Sequence, residues 1–279
     1  MSKVLIVGKN GNLGRELVSL YPEATAWGRT ELDVADESAV LNKITELKPD
    51  IVFNCTAYND VDGAEQNPAP ANQINAKGPE TLAKVCDQIS ATLVHFSTGQ
   101  VFAGDSKDGY TETDTPQPIN AYGQSKLTGE QAVANFCQKY YIIRTEWLYA
   151  KPSTSGTSKK SFIDIMLKMA KAGKPIKAVD DEFGKPTYAR DLAIMSKELV
   201  EQNLVYGIYH GINEGLASRY DWAKETFRIK NIEADLTPVP ASTFPPRAAK
   251  RPQYEVLNNT KFPKLRSWQD ALKDYLTNN

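Results

Sequence analysis

The sequence predicts an α/β fold, a doubly wound parallel sheet carrying a smaller α/β lobe towards its C-terminal end. Three observations support this. The chain opens on a short apolar run, Lys3-Val4-Leu5-Ile6-Val7, that feeds straight into a glycine-spaced turn. Apolar runs and helical patterns then alternate up to residue 144. After Trp147-Leu148-Tyr149 the composition changes to polar loops and shorter elements. Alternation of strand and helix is the pattern of parallel sheets whose helices cover both faces.

Each element follows from its residues. Lys3–Val7 is apolar without a break, as a strand buried on both faces requires. Arg15–Leu20 reads as the helix after the turn, and Ala24–Trp27 as a short second strand. Asp36–Lys48 reads as a helix with Asp36 as its N-cap and Pro49 past its end. Asp50–Cys55 is a third strand, Pro68–Ile89 is helical, and Ala91–Phe96 is a fourth strand ending at Ser97-Thr98. Residues 103–119 are rich in Gly, Pro, Asp and Thr and read as a loop. Ala121–Gln138 is helical, and Tyr140–Arg144 is a fifth strand. Further on, helices are expected at Phe162–Ala172, Arg190–Gln202 and Arg219–Arg228, and short strands at Ile176–Val179 and Gly207–His210. We therefore expect a dinucleotide-binding domain over 1–150, with 186–203 returning to it, and a substrate lobe formed by 151–185 and 204–279. The polar segment Ser153–Ser158 is a candidate lid.

Composition excludes several classes. Lys and Arg total 33 against 34 for Asp and Glu, so no charge excess favours nucleic acid or an acidic membrane. No apolar run reaches spanning length, and the N-terminal run is broken by Gly8 too early for a signal peptide. Cys55, Cys86 and Cys137 are scattered and odd in number, as buried thiols in a reducing cytoplasm are. With only His95 and His210 available, no histidine metal site is expected, and His95 reads as a strand position.

The turn Gly8-Lys9-Asn10-Gly11-Asn12-Leu13-Gly14 has the spacing GxxGxxG. A glycine triplet alone is weak. Between a buried strand and a helix it predicts a dinucleotide site, with the phosphates at the helix N-terminus. Gly8, Asn10, Gly11, Asn12, Leu13 and Gly14 are its candidate contacts. The second strand ends in Trp27-Gly28-Arg29, where an arginine favours the 2′-phosphate of NADP and an acid the free diol of NAD. Arg29 makes NADP(H) the preferred cofactor, with NAD(H) as the alternative. Its other reading is a solvated surface charge. Asp33-Val34 is placed near the adenine.

Tyr122 and Lys126 lie four residues apart in Asn120-Ala121-Tyr122-Gly123-Gln124-Ser125-Lys126, on one face if helical. A phenol ionises near pH ~10, and a nearby ammonium lowers that value. Tyr220 and Lys224 repeat the spacing, but no glycine turn or hydroxyl-ended strand precedes them, so Tyr220 reads as a packing residue. Thr98 ends a strand of a parallel sheet, where ligands bind. A hydroxyl, a phenol and an ammonium beside a nicotinamide make a carbonyl-reduction site. Tyr122 gives the proton, Lys126 tunes it and binds the ribose, and Thr98 holds the substrate oxygen.

At this point the chain resembles a known family, the dTDP-4-dehydrorhamnose reductases among the extended short-chain dehydrogenase/reductases. The resemblance spans nearly the whole chain. It rests on the glycine turn, Glu31-Leu32-Asp33-Val34, Asn54-Cys55-Thr56-Ala57-Tyr58 with Val61-Asp62, and Asn75-Ala76-Lys77-Gly78-Pro79. It continues through Ser97-Thr98, Tyr122-Gly123-Gln124-Ser125-Lys126, Arg144-Thr145-Glu146-Trp147-Leu148-Tyr149, Phe183-Gly184-Lys185-Pro186-Thr187-Tyr188 and Ala249-Lys250-Arg251-Pro252. It implies a Rossmann-type sheet and NAD(P)H-dependent reduction of dTDP-4-dehydro-L-rhamnose to dTDP-L-rhamnose in the cytoplasm. The implied catalytic trio is Thr98, Tyr122 and Lys126. Thr56, Ala57 and Tyr58 are implied at the cofactor, and Gln100, Trp147, Lys250 and Arg251 at the substrate, where Lys250 and Arg251 read equally as solvated. The partner is a small nucleotide sugar, and the assembly a monomer or homodimer. Some members dimerise through glutamate-held magnesium. Glu16 matches one such position, but Arg190 stands at another, so no metal is expected.

The chain departs from the family pattern Ser-Thr-Asp-Tyr-Val-Phe at Gly99 and Gln100, and carries Glu146 where a small Ser is usual. Two further readings therefore stand beside the first. One is a 4-ketoreductase for a different nucleotide deoxysugar. The other is a non-catalytic NADP-binding regulatory subunit, against which the intact trio argues.

Overall fold

A computed structural model describes residues 2–152 and 161–277. The expected lid, Ser153–Ser158, lies outside the described residues. The centre of the molecule is a six-stranded sheet built from β1 (Val4–Val7), β2 (Thr25–Trp27), β3 (Ile51–Asn54), β4 (Thr92–Thr98), β5 (Tyr140–Thr145) and β6 (Gly207–His210). Their order across the sheet is β6-β5-β4-β3-β1-β2, and every pairing is parallel. The order reverses between β1 and β3, so a crevice opens there at the carboxyl ends of the strands.

Side chains alternate across the pleat, which explains the unbroken apolar strand sequences. Val4 and Ile6 of β1 point into one core with Leu13, Leu17, Leu192, Met195 and Leu199. Leu5 and Val7 point into the other, with Val40, Ile44, Leu82, Val85 and Val133. The first core is covered by the helices Asn12–Leu20 and Ala189–Glu201, the second by Glu37–Leu47, Gly78–Gln88 and Ala121–Phe136.

Local chemistry sets the helix boundaries. Asp36 caps Glu37–Leu47 by accepting from the Ala39 N–H, and Lys48 closes it in the left-handed conformation. The expected single helix Pro68–Ile89 is instead two helices, Pro68–Asn72 and Gly78–Gln88, joined by a π-helical turn at Gln73–Lys77. Asn75 in that turn accepts from the Tyr58 N–H and donates to the Tyr58 carbonyl and to Ser125 Oγ. These bonds tie the cofactor-side loop to the helix that carries Tyr122.

The second lobe holds short strands, among them Ile176–Val179 paired with Leu236–Val239, and the helices Phe162–Lys171 and Arg219–Lys230. Both helices begin with a serine capping box, at Ser161 and Ser218. Its core includes Tyr149, Tyr188, Trp222, Trp268 and Tyr275. Trp268–Thr277 is a further helix, not expected from the sequence, that Ser267 caps by accepting from the Asp270 N–H.

One expected boundary is corrected. Residues 204–279 were assigned to the second lobe, but Gly207–His210 pairs with Tyr141–Arg144 as the sixth strand of the main sheet. Tyr209 packs in the first core, and Tyr141 Oη donates to the Leu204 carbonyl, which fastens the segment there.

Candidate active site

The cleft begins at the glycine turn. Gly8 has φ +89°, and a Cβ there would lie 2.9 Å from the Cys55 carbonyl carbon. Only glycine meets both demands. Gly11 precedes the helix Asn12–Leu20, whose N-terminus has no side-chain cap. Its first N–H groups therefore open on the cleft, which Asn10, Gly11, Asn12 and Leu13 line. Thr56 and Ala57, just past β3, line the opposite side. An uncapped helix end with no carboxylate in its first turn fits a dinucleotide diphosphate.

Thr98 ends β4, and its hydroxyl accepts from the Gln100 N–H. The short 3₁₀ turn Gly99–Val101 follows. The helix Ala121–Phe136 begins at Asn120, whose side chain accepts from the Gly123 N–H at 2.8 Å. A Cβ on Gly123 would lie 2.1 Å from the Gln100 carbonyl oxygen. The missing side chain lets the helix press against the 3₁₀ turn and brings Tyr122 beside Thr98. Tyr122 and Lys126 are both buried and both line the cleft, as Thr98 does.

The electrostatics differ from the sequence expectation in one respect. Lys126 does not lower the Tyr122 pKa in this structure. Burial raises it, the negative field of Glu255 adds to the rise, and the Thr98 hydroxyl opposes it as a hydrogen-bond partner. Lys126 Nζ donates to the Phe96 carbonyl at 2.6 Å, and burial brings its own pKa down to about 8, with Glu130 opposing. Glu130 itself forms a buried pair with Arg144, Nη2 to Oε2 at 2.7 Å and Nε to Oε1 at 2.9 Å.

The cleft, of ≈ 900 Å3, continues between the lobes. Trp147 sits at φ +43°, donates from Nε1 to Glu255 Oε2 at 3.3 Å, and stacks near Trp222. Arg219 lies 3.7 Å from the Trp147 ring centroid and forms no hydrogen bond or ion pair among the described residues. Burial lowers its pKa to about 10. Arg247 pairs with Glu182, and both line the cleft. The sequence reading missed Arg219, Arg247 and Glu255. Their one signal was chemical type, charged residues in a lobe that must hold a diphosphate, and no spacing links them to the first domain.

Other candidates lie elsewhere. Gly8 and Gly14 shape the turn without lining the cleft themselves, and Val34 is buried in the second core. A Cβ on Gly14 would lie 2.2 Å from the Gly8 carbonyl oxygen. Tyr58 packs with Ala64, Ala71 and Tyr122 instead of lining the cleft. Lys250 is exposed and outside the cleft, and its carbonyl accepts from Asn120 Nδ2 at 2.9 Å. Arg251 does line the cleft, but Asp62 holds it at 2.6 Å and so pins the C-terminal segment to the first domain. Arg29 is exposed and pairs with Asp33 at 3.1 Å beyond β2, where Lys9 pairs with Glu31 at 2.5 Å. Arg190 faces Glu16 closely enough to oppose the burial that raises the Glu16 pKa. Tyr220 and Lys224 lie outside this cleft.

The parallel sheet, the glycine turn and the Tyr122/Lys126 pair on the helix beside β4 define an extended short-chain dehydrogenase/reductase. Within that class, the chain belongs to the family described as the RmlD substrate binding domain, whose profile matches residues 2–279. It is 36% identical over 285 residues to dTDP-4-dehydrorhamnose reductase of Mycolicibacterium smegmatis, covering 98% of this chain and 84% of that one. It is 38% identical over 283 residues to the probable dTDP-4,6-dihydroxy-2-methyloxan-3-one 4-ketoreductase of Streptomyces antibioticus, covering 97% and 93%. The crystal structure of dTDP-4-dehydrorhamnose reductase from Bacillus anthracis in complex with NADP superposes with a TM-score of 0.93 at 35% identity, covering 100% of this chain and 99% of that one.

Proposed function

We propose that this chain is an NADPH-dependent 4-ketoreductase of dTDP-deoxysugars, converting dTDP-4-dehydro-L-rhamnose to dTDP-L-rhamnose. The observation that carries the reading is the convergence of Thr98, Tyr122 and Lys126 on a cleft that begins at an uncapped helix N-terminus. The relatives' names and the NADP bound to the Bacillus anthracis enzyme support it. When bound, the reduced nicotinamide supplies the hydride. Gly8, Asn10, Gly11, Asn12, Leu13 and Gly14 form the turn that receives the diphosphate of the cofactor, with Thr56 and Ala57 opposite. Arg29 and Lys9 flank the end of β2 and favour the extra phosphate of NADP(H) over NAD(H). Thr98 holds the carbonyl oxygen, and Tyr122 delivers the proton to it. Lys126, a buried cation one helical turn away, replaces the lost proton's charge and binds the ribose. Arg219 and Arg247 meet the sugar-nucleotide diphosphate, and Trp147 forms the wall of the sugar pocket.

A second reading, reduction of a different 4-keto deoxysugar nucleotide, is favoured by Gly99, Gln100 and Glu146 and by the sugar named for the Streptomyces antibioticus relative. Among the described residues no helix is long and apolar enough to cross a membrane. We place the enzyme in the cytoplasm as a monomer or homodimer. The test follows loss of reduced nicotinamide absorbance with dTDP-4-dehydro-L-rhamnose. Turnover by the native protein that falls by about 100-fold or more in Tyr122→Phe supports the first reading, on the usual scale of general-acid catalysis. Turnover only with another 4-keto sugar selects the second. Binding of NADPH without turnover of any 4-keto sugar nucleotide refutes both.

A further inference from the structure

The sugar end of the cleft contains two buried carboxylates with different freedoms. Glu146 is spent on the backbone: Oε1 accepts from the Leu257 N–H at 2.9 Å and Oε2 from the Lys185 N–H at 3.0 Å. Glu255 is bound through one oxygen only. Its Oε2 accepts from Trp147 Nε1 at 3.3 Å and stands 3.5 Å from Gln100 Nε2. Its Oε1 makes no hydrogen bond, and the residue forms no ion pair, among the described residues. Glu255 is only 7% exposed, yet it lines the cleft together with Thr98, Gln100, Tyr122 and Trp147. A buried carboxylate without an ion-pair partner is costly unless something meets it.

Its position is tied to Gly99. A Cβ at residue 99 would lie 3.0 Å from Glu255 Cγ and 3.4 Å from its Oε1. A side chain at residue 99 would therefore meet that of Glu255 directly, and with glycine there Glu255 fills the space. Glu255 and the acid Tyr122 line the same cleft, and the charge of Glu255 contributes to the raised Tyr122 pKa. A ring whose ketone is presented to Thr98 and Tyr122 brings its neighbouring carbons alongside this carboxylate.

We propose that Glu255 is the specificity-determining residue of the sugar subsite, held by Trp147 and Gln100 so that its free oxygen accepts a hydrogen bond from a ring hydroxyl of the 4-keto sugar. The inference rests on the ketoreductase reading above and names its substrate class more narrowly: a dTDP-4-keto-6-deoxyhexose that retains a hydroxyl at C2 or C3. A site built to bond a hydroxyl discriminates strongly against the analogue that lacks it, because its own polar group is then left unmatched.

The experiment measures kcat/KM of the native protein and of Glu255→Ala with dTDP-4-dehydro-L-rhamnose and with its 2-deoxy and 3-deoxy analogues. NADPH affinity is measured alongside as a check on the fold. The parent sugar should lose about 10- to 100-fold in Glu255→Ala, the scale of one hydrogen bond to a charged group. One of the two deoxy analogues should already be poor for the native protein and change little further. The double variant Gly99→Asp/Glu255→Ser, which moves the carboxylate to the adjoining residue 99, should recover activity on the parent sugar relative to Glu255→Ala. Equal losses on the parent and both analogues, or no loss at all, with NADPH binding intact, overturn the proposal and leave the ketoreductase reading standing. Failure of the native protein to reduce the parent sugar or any other dTDP-4-keto sugar overturns that reading instead, and the subsite with it.

Discussion

Glu255 ties stability to pH in a direction opposite to that of most carboxylates. Burial, with no ion pair to offset it, raises its pKa from an ordinary 4.5 to about 7. Arg219, Trp147 and Gln100 pull the other way without cancelling the rise. Between those two values the folded protein holds a proton on Glu255 that the unfolded chain has released. Stability therefore falls as pH rises through that window, and the contribution present below pH 4.5 is gone above about 7. At about 1.4 kcal/mol for each tenfold change in proton affinity, the whole effect is about 3 kcal/mol. The perturbation is Glu255→Gln, which keeps the shape and the hydrogen bonds but cannot ionise. Urea unfolding of the native protein and the variant at pH 5 and pH 8 reads the titration of Glu255 together with its effect on Glu146, whose pKa the Glu255 charge helps to raise, while Glu16, raised by burial, remains in both. The difference between the two proteins should shift by most of that amount across the interval, with the variant gaining at pH 8. Parallel stability-versus-pH curves would refute the claim that the burial of Glu255 outweighs the opposing charge of Arg219.

The remaining predictions concern the cofactor end and the scaffold. Tyr122→Phe should retain NADPH affinity, by fluorescence titration, while its turnover falls by about 100-fold or more. Arg29→Ala should raise KM for NADPH several-fold and leave that for NADH nearly unchanged, since the exposed guanidinium spends only one contact on Asp33; equal effects on both cofactors would remove Arg29 from phosphate recognition. Glu130→Ala should cost about 3–5 kcal/mol in urea unfolding, because it strands Arg144, 2% exposed, without its counter-ion.

The first domain was legible in the sequence because its signals are local. Lys3–Val7 and the glycine turn lie within a dozen residues, and Asp36 and Asn120 cap the helices that follow them. β1 and β3 could be read from short apolar runs buried on both faces, whereas β2 is a half-buried edge strand and β4 carries polar residues within its run. Gly207–His210 was seen as a strand but placed in the wrong lobe, because pairing with β5 is a contact across more than sixty residues that no local pattern encodes. The site divided in the same way. Thr98, Tyr122 and Lys126 sit on adjacent elements and were found together. Arg219, Arg247 and Glu255 reach the cleft only after the second lobe folds over it. Lys250 and Arg251 are neighbours in sequence, yet one faces away from the cleft and the other is taken by Asp62. The departure at Gly99 was visible. Its consequence, a space filled from residue 255, was not.

This division has a mechanistic reason. The groups that move hydride and proton must be fixed relative to one another, and here they ride on β4 and the helix that packs against it through Gly123. The groups proposed to distinguish one sugar from another, Trp147, Arg219 and Glu255, line the cleft from other elements of the chain. Arg251 and Asp62 pin that segment to the first domain at a single charged contact, so its side chains are held in register with Tyr122 without being part of the same packed element. Substitutions at 99, 100 and 255 therefore reshape one end of the cleft and leave the carbonyl-reducing end in place. On the reading proposed above, the chemistry is set by the sheet and the substrate by the second wall, and Glu255 joins the two, since its charge raises the Tyr122 pKa and it lines the same cleft.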